Sequence, residues 1–195
     1  IYLEKTSGLV ENLVRLTNDG ADMPGTCGIA HTRWATHGAP TSENAHPHIS
    51  SDGRFAVVHN GIVENYAQLR DELIDEGYEF ASQTDTEVIA HLLCKYNNGD
   101  PKKAVLHAVA RLEGSYALGV IYVDAPGTLY AFREASPLIL GLGVDENWFA
   151  SDVTALISHT KSVIYLEDGE LAELSPEHVT VWDSTGQELH KEVSR

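Results

Sequence analysis

The segment Phe55-Ala56-Val57-Val58-His59-Asn60-Gly61-Ile62-Val63 reads as a strand, and what surrounds it decides the fold. Upstream, Thr26 to Ala35 has the same β-branched, aromatic and small character, separated from it by the turn-rich stretch Gly38 to Gly53. Downstream the period becomes helical. Asn65 can cap a helix whose apolar Tyr66, Leu69 and Leu73 recur at i, i+3 and i+7, with Gly77 as its stop. A second helix begins near Thr84, with the apolar set Val88, Ile89, Leu92, Leu93 and Tyr96, and ends in Asn97-Asn98-Gly99. A third has Asp100 as cap and Pro101 in its first turn, and Ala104, Val105, Ala108, Val109 and Leu112 face inward before Gly114 ends it.

From Ser115 onward short strands return. Tyr116 to Val123 and Thr128 to Arg133 form a hairpin across Pro126-Gly127, and Leu138 to Leu142 follows. Ser151 or Asp152 caps a short helical segment through Ile157. Ser162 to Leu166 is expected to pair across Asp168-Gly169 with Glu170 to Leu174, and Val179 to Trp182 is the final strand. Strands, then helices, then strands predict a layered α+β domain, because a βαβ fold would alternate them. No repeat or linker divides the sequence, so residues 1–195 are read as one domain.

Composition limits the function. With 195 residues, 43% hydrophobic and 22% charged, the chain can bury a proper core. Lys and Arg number 13 against 29 Asp and Glu, a net charge of −16 with no basic patch, which argues against nucleic acid and anionic membrane as partners. Runs such as Leu138-Ile139-Leu140 fall far short of the ~20 apolar residues that span a bilayer. Cys27 and Cys94 make no disulfide framework, so a reducing cytoplasm is the expected location.

Five of the ten histidines, His31, His37, His46, His48 and His59, fall in one stretch with Arg33, Trp34, Asn44 and Asn60. In His31-Thr32-Arg33-Trp34, the arginine can grip a carboxylate with two parallel hydrogen bonds; equally, it can stack on Trp34 and pair with a surface acid. Asn60-Gly61 suits a two-residue hairpin turn, or an oxyanion hole built from the Asn amide and the Gly N–H. Thr84-Asp85-Thr86-Glu87 fits a capping box from Thr84 to Glu87, which would leave Asp85 able to hold an ammonium group. His46-Pro47-His48 is a weak metal motif, since no cysteine and few acids accompany it, and no metal is expected.

Gly28-Ile29-Ala30-His31-Thr32-Arg33-Trp34-Ala35-Thr36-His37-Gly38, Asn44-Ala45-His46-Pro47-His48, Val58-His59-Asn60-Gly61-Ile62, Thr84-Asp85-Thr86-Glu87 and Ser136-Pro137-Leu138 share an order and spacing. Together they resemble the glutaminase domain of the isomerising glucosamine-6-phosphate synthases, a type-2 glutamine amidotransferase, over essentially the whole chain. The resemblance implies the N-terminal-nucleophile hydrolase fold, an αββα sandwich of two antiparallel sheets between helical layers, here without its first strand or strands. It implies that Arg33 binds the α-carboxylate of L-glutamine or L-glutamate, that Asp85 binds its α-ammonium, and that Asn60 and the N–H of Gly61 form the oxyanion hole. Trp34 through Thr41 match a loop that closes over glutamine and helps route ammonia, with Trp34, Thr36 and His37 as its substrate-binding residues.

No cofactor is implied. The partners implied are the sugar isomerase domains of the same full-length chain, absent here, and a second copy in a homodimer. The family's nucleophile is a cysteine at the first residue, which would lie upstream of Ile1. Cys27-Gly28-Ile29 imitates that start but has no free α-amine mid-chain, so the chain as it stands is expected not to hydrolyse glutamine. Cys94, on the apolar face of a helix, is expected in the core. Three alternatives stand beside this reading: an amidophosphoribosyltransferase-like glutaminase, a non-catalytic glutamine-binding module, and a metal-dependent hydrolase built on the histidines.

Overall fold

A computed structural model describes residues 1–34 and 38–195. In chain order its elements are α1 (Val10–Leu16), β1 (His48–Ile49), β2 (Phe55–Val63), α2 (Tyr66–Asp75), α3 (Thr86–Tyr96), α4 (Pro101–Val109), β3 (Gly114–Tyr122), β4 (Leu129–Glu134) and β5 (Ile139–Leu142). There follow β6 (Asn147–Ala150), a 3-10 turn (Val153–Ala155), β7 (Ser162–Tyr165), β8 (Glu170–Leu174), β9 (Val179–Trp182) and β10 (Glu188–Leu189). The strands form a seven-stranded sheet, order β1-β2-β3-β4-β8-β9-β10, and a three-stranded sheet, order β6-β5-β7, with antiparallel pairing throughout.

Alternation along each central strand builds the layers, because successive side chains point to opposite faces. Phe55, Val57, Leu118, Val120, Phe132 and Leu171 face the helices, packing on Leu69, Leu73, Ile89, Leu92, Val105 and Ala108. Their neighbours Ala117, Ala131 and Ala172 face the small sheet, packing with Leu138, Leu140 and Ile164. On that sheet's far side, Leu156 joins Ile139 and Val163, with Trp148 and Val153 against them. The order is therefore helices, sheet, sheet, helical turn, with the fourth layer reduced among the described residues to one 3-10 turn, which Asp152 caps by accepting from the N–H of Thr154 at 2.8 Å. No helix among the described residues is long and apolar enough to cross a membrane.

The locally encoded elements form as expected. Asp100 accepts from the N–H of Lys103 and Pro101 opens α4; Gly77, at φ 93°, lets the N–H of Tyr78 reach back to Leu73 O at 2.9 Å and end α2. Asn65 does precede α2, but its side chain bonds Arg111 O and the N–H of Glu113 instead of capping the helix.

Other expectations are corrected. The described part of Thr26 to Ala35 is no strand: its β-branched and small residues meet no neighbouring strand that supplies a ladder. Ser162 to Leu166 does not pair with Glu170 to Leu174. Between β7 and β8 the chain changes sheets, drawn across by the Arg133–Asp168 ion pair at 3.0 Å and the Gly169 N–H bond to Arg133 O at 2.9 Å. Val179 to Trp182 is followed by β10, because Asp183 accepts from Thr185 and Gln187 and closes a tight turn. Helix α4 stops at Val109, and Gly114 instead opens β3. Helix α1, which buries none of its residues, and β6 are additions to the expected elements.

Candidate active site

Asn60 and Gly61 lie inside β2, opposite Ala117 and Tyr116 of β3, so they are not a hairpin turn. Gly61 sits at φ 115°, and a Cβ there would come within 1.9 Å of the Ser115 carbonyl oxygen and 3.0 Å of Ser136 Oγ. Only glycine fits. The two serine hydroxyls behind it bond each other at 2.9 Å.

The Asn60 side chain does not hang loose. Its Oδ1 lies 2.6 Å from His31 Nε2, and the His31 ring stacks on His46 at 4.2 Å between centroids. His46 Nδ1 accepts the backbone N–H of His59 at 3.3 Å, and its Nε2 lies 3.1 Å from Thr86 Oγ1, which is 2.9 Å from His59 Nδ1. His48 Nε2 meets Thr84 Oγ1 at 3.1 Å. Burial pushes His46 far below the ordinary imidazole value, with the neighbouring imidazoles and Arg33 adding to the effect. Burial and then the Lys5 ammonium push His48 down to about 4, and burial also lowers His31. These three rings are neutral near pH 7. Among the described residues no group of three or more His, Cys, Asp or Glu side chains is placed to hold a metal ion.

Asp85 is buried at the start of α3, where its Oδ2 accepts the N–H of Val63 at 2.9 Å. The capping box does not form. Glu87 instead accepts from the N–H groups of Ala81 and Ser82 and the Ser82 hydroxyl, while Thr84 turns to Ser82 and His48. Competing acceptors and donors just upstream win over the cap.

Arg33 is half-buried and donates to Ala39 O at 3.1 Å and Gly38 O at 3.3 Å. Ala39 O also accepts from Asn44 Nδ2 at 3.0 Å, and Asn44 Oδ1 accepts the N–H of Gln83 at 2.9 Å. Trp34 is 90% exposed. Thr36 and His37 lie outside the described residues.

The proposed site residues do not share one cavity. Arg33 and His46 line a cavity of about 440 Å³. Asn60, His59 and Trp34 line a second of about 360 Å³, between Val58, Gly119, Leu138 and Phe149. His31 borders both, and Asp85 borders neither. Cys27 lines neither; its Sγ faces Thr128 O, and burial pushes the thiol up. Cys94 is half-buried beside Ser51. The histidine network was signalled in sequence only by the density of imidazoles; nothing local shows that His31 meets Asn60.

A family model described as "Glutamine amidotransferase domain" matches residues 31–158, the span that holds His31, Arg33, Asn60, Gly61 and Asp85. The chain belongs to this glutamine amidotransferase family. Curated relatives agree: the glutamine–fructose-6-phosphate aminotransferase (isomerizing) of Aquifex aeolicus is 50% identical over 99% of this chain and 32% of its own length. That of Methanothermobacter thermautotrophicus is 48% identical over 99% of this chain and 33% of its length. This amidotransferase chain thus spans about a third of the relatives it matches. Among solved structures, glutamine phosphoribosylpyrophosphate amidotransferase from B. subtilis superposes with TM-score 0.68 at 26% identity, over 79% of this chain and 34% of that one. The amidotransferase domain has their N-terminal-nucleophile hydrolase fold.

Proposed function

We propose that this domain hydrolyses the side-chain amide of L-glutamine and supplies the ammonia to fructose 6-phosphate, within a longer cytoplasmic protein that also carries the sugar isomerase domains and works as a homodimer. The observation that carries the chemistry is Asn60-Gly61: a strand interior where no side chain fits at Gly61, next to a carboxamide held by its oxygen. A thiolate from a segment preceding Ile1 attacks the amide carbon, and the carbonyl oxygen becomes an alkoxide that the Asn60 N–H₂ and Gly61 N–H stabilise. The proton given up by the thiol goes to the leaving nitrogen, so ammonia departs, and water cleaves the thioester to give glutamate and restore the thiol. A free amino acid offers one anionic and one cationic handle; Arg33 complements the first and Asp85 the second. Trp34, Thr36 and His37 belong to the loop that covers the substrate.

Identity near 50% over nearly the whole chain with fructose-6-phosphate enzymes favours the sugar acceptor over the phosphoribosyl acceptor suggested by the 26% structural relatives. The test is glutamine hydrolysis and amino-sugar formation by the full-length protein. Asn60→Ala should lower kcat roughly 100- to 1,000-fold. Ammonia transfer to phosphoribosyl pyrophosphate instead of fructose 6-phosphate would select the rival acceptor. Glutamine binding without turnover in the full-length protein would select a binding module.

A further inference from the structure

We infer that His31 is a positioning residue for Asn60, gripping the carboxamide by its oxygen so that its N–H₂ faces the reacting carbonyl; this rests on the oxyanion-hole reading above. A primary amide can turn over, exchanging oxygen for nitrogen at little cost, and only a fixed partner selects one face. His31 Nε2 lies 2.6 Å from Asn60 Oδ1, and an amide oxygen only accepts, so the ring proton sits on Nε2.

The ring itself is held. It stacks on His46, 26° from parallel. His46 accepts the His59 N–H on Nδ1, so its own proton is on Nε2 and goes to Thr86 Oγ1, whose hydroxyl proton goes on to His59 Nδ1. Burial disfavours charging His31 and His46, which keeps the tautomers fixed near neutral pH. Asn60 is therefore oriented before any substrate arrives, which is what makes a donor effective in a transition state.

The experiment uses the full-length protein and glutamine hydrolysis. His31→Ala should lower kcat by roughly tenfold to 100-fold, with KM changed by less than about threefold. His31→Gln, whose amide N–H can reach the same oxygen, should recover most of that loss. In an Asn60→Ala background, His31→Ala should cost less than about a further twofold, because the group it positions is gone. Equal losses in both backgrounds, or a His31→Gln variant that folds yet does no better than His31→Ala, would overturn the assignment. Should His31→Ala not fold, the imidazole ¹⁵N shifts of the unaltered protein decide: a proton on His31 Nδ1 overturns it, and one on Nε2 with Nδ1 bare supports it. If Asn60→Ala lowers kcat and His31→Ala does not, the positioning role alone fails; if Asn60→Ala leaves kcat intact, the oxyanion-hole reading fails.

Discussion

The N–H of Val63 donates to Asp85 Oδ2 at 2.9 Å, both residues buried, and so ties the start of α3 to the end of β2 just past Asn60 and Gly61. Substitution can separate this structural task from the ammonium binding proposed for the same carboxylate. Asp85→Asn keeps an acceptor for Val63 but loses the charge, so the melting temperature should hold while KM for glutamine rises at least about tenfold. Asp85→Ala strands a buried N–H and should cost about 1–3 kcal/mol of stability as well, read from urea denaturation.

Gly61→Ala places a methyl group against Ser115 O and a non-glycine residue at φ 115°. Unfolding in urea should show a loss of about 2–4 kcal/mol, and glutaminase activity of the full-length protein should collapse.

Arg33→Lys keeps the charge and gives up the fork that donates to the carbonyls of Gly38 and Ala39 and that we propose grips the glutamine carboxylate. KM for glutamine should rise while kcat stays within a few-fold, measured by steady-state glutaminase kinetics.

Acid should weaken the fold through His48. Its unfolded imidazole takes a proton near pH 6.5, whereas the folded one, desolvated and facing Lys5, resists until about 4. Between those values the unfolded state binds more protons, so stability rises with pH and is lost on acidification. The loss can reach about 3 kcal/mol. Urea midpoints at pH 7 and pH 4.5 check this, and His48→Asn should shrink the difference by the His48 share while that of His46 and His31 remains.

What the sequence reveals about this fold depends on the range of the deciding contact. Helix α4 is legible because Asp100 and Pro101 act within one turn. The Asn60-Gly61 pair has two readings locally; Ala117, Tyr116 and Ser115 on a distant strand choose between them. The β7–β8 pairing misleads for the same reason, since Arg133 and Asp168 redirect the chain from far away in sequence. At Thr84 to Glu87 the motif is present, but Ser82 and the N–H of Ala81 claim its carboxylate first. Arg33, Asn60 and Asp85 are visible as residue types, whereas the histidine that orients one of them is visible only once the chain is folded.

Ala39 O is held by both Arg33 and Asn44, and Asn44 in turn holds Gln83, two residues from Asp85. The guanidinium and the carboxylate are therefore joined by one run of hydrogen bonds and backbone, so a change at Asn44 reaches both. Under the roles proposed above, Asn60 is a third point of attachment, and three points of attachment tell glutamine from its mirror image.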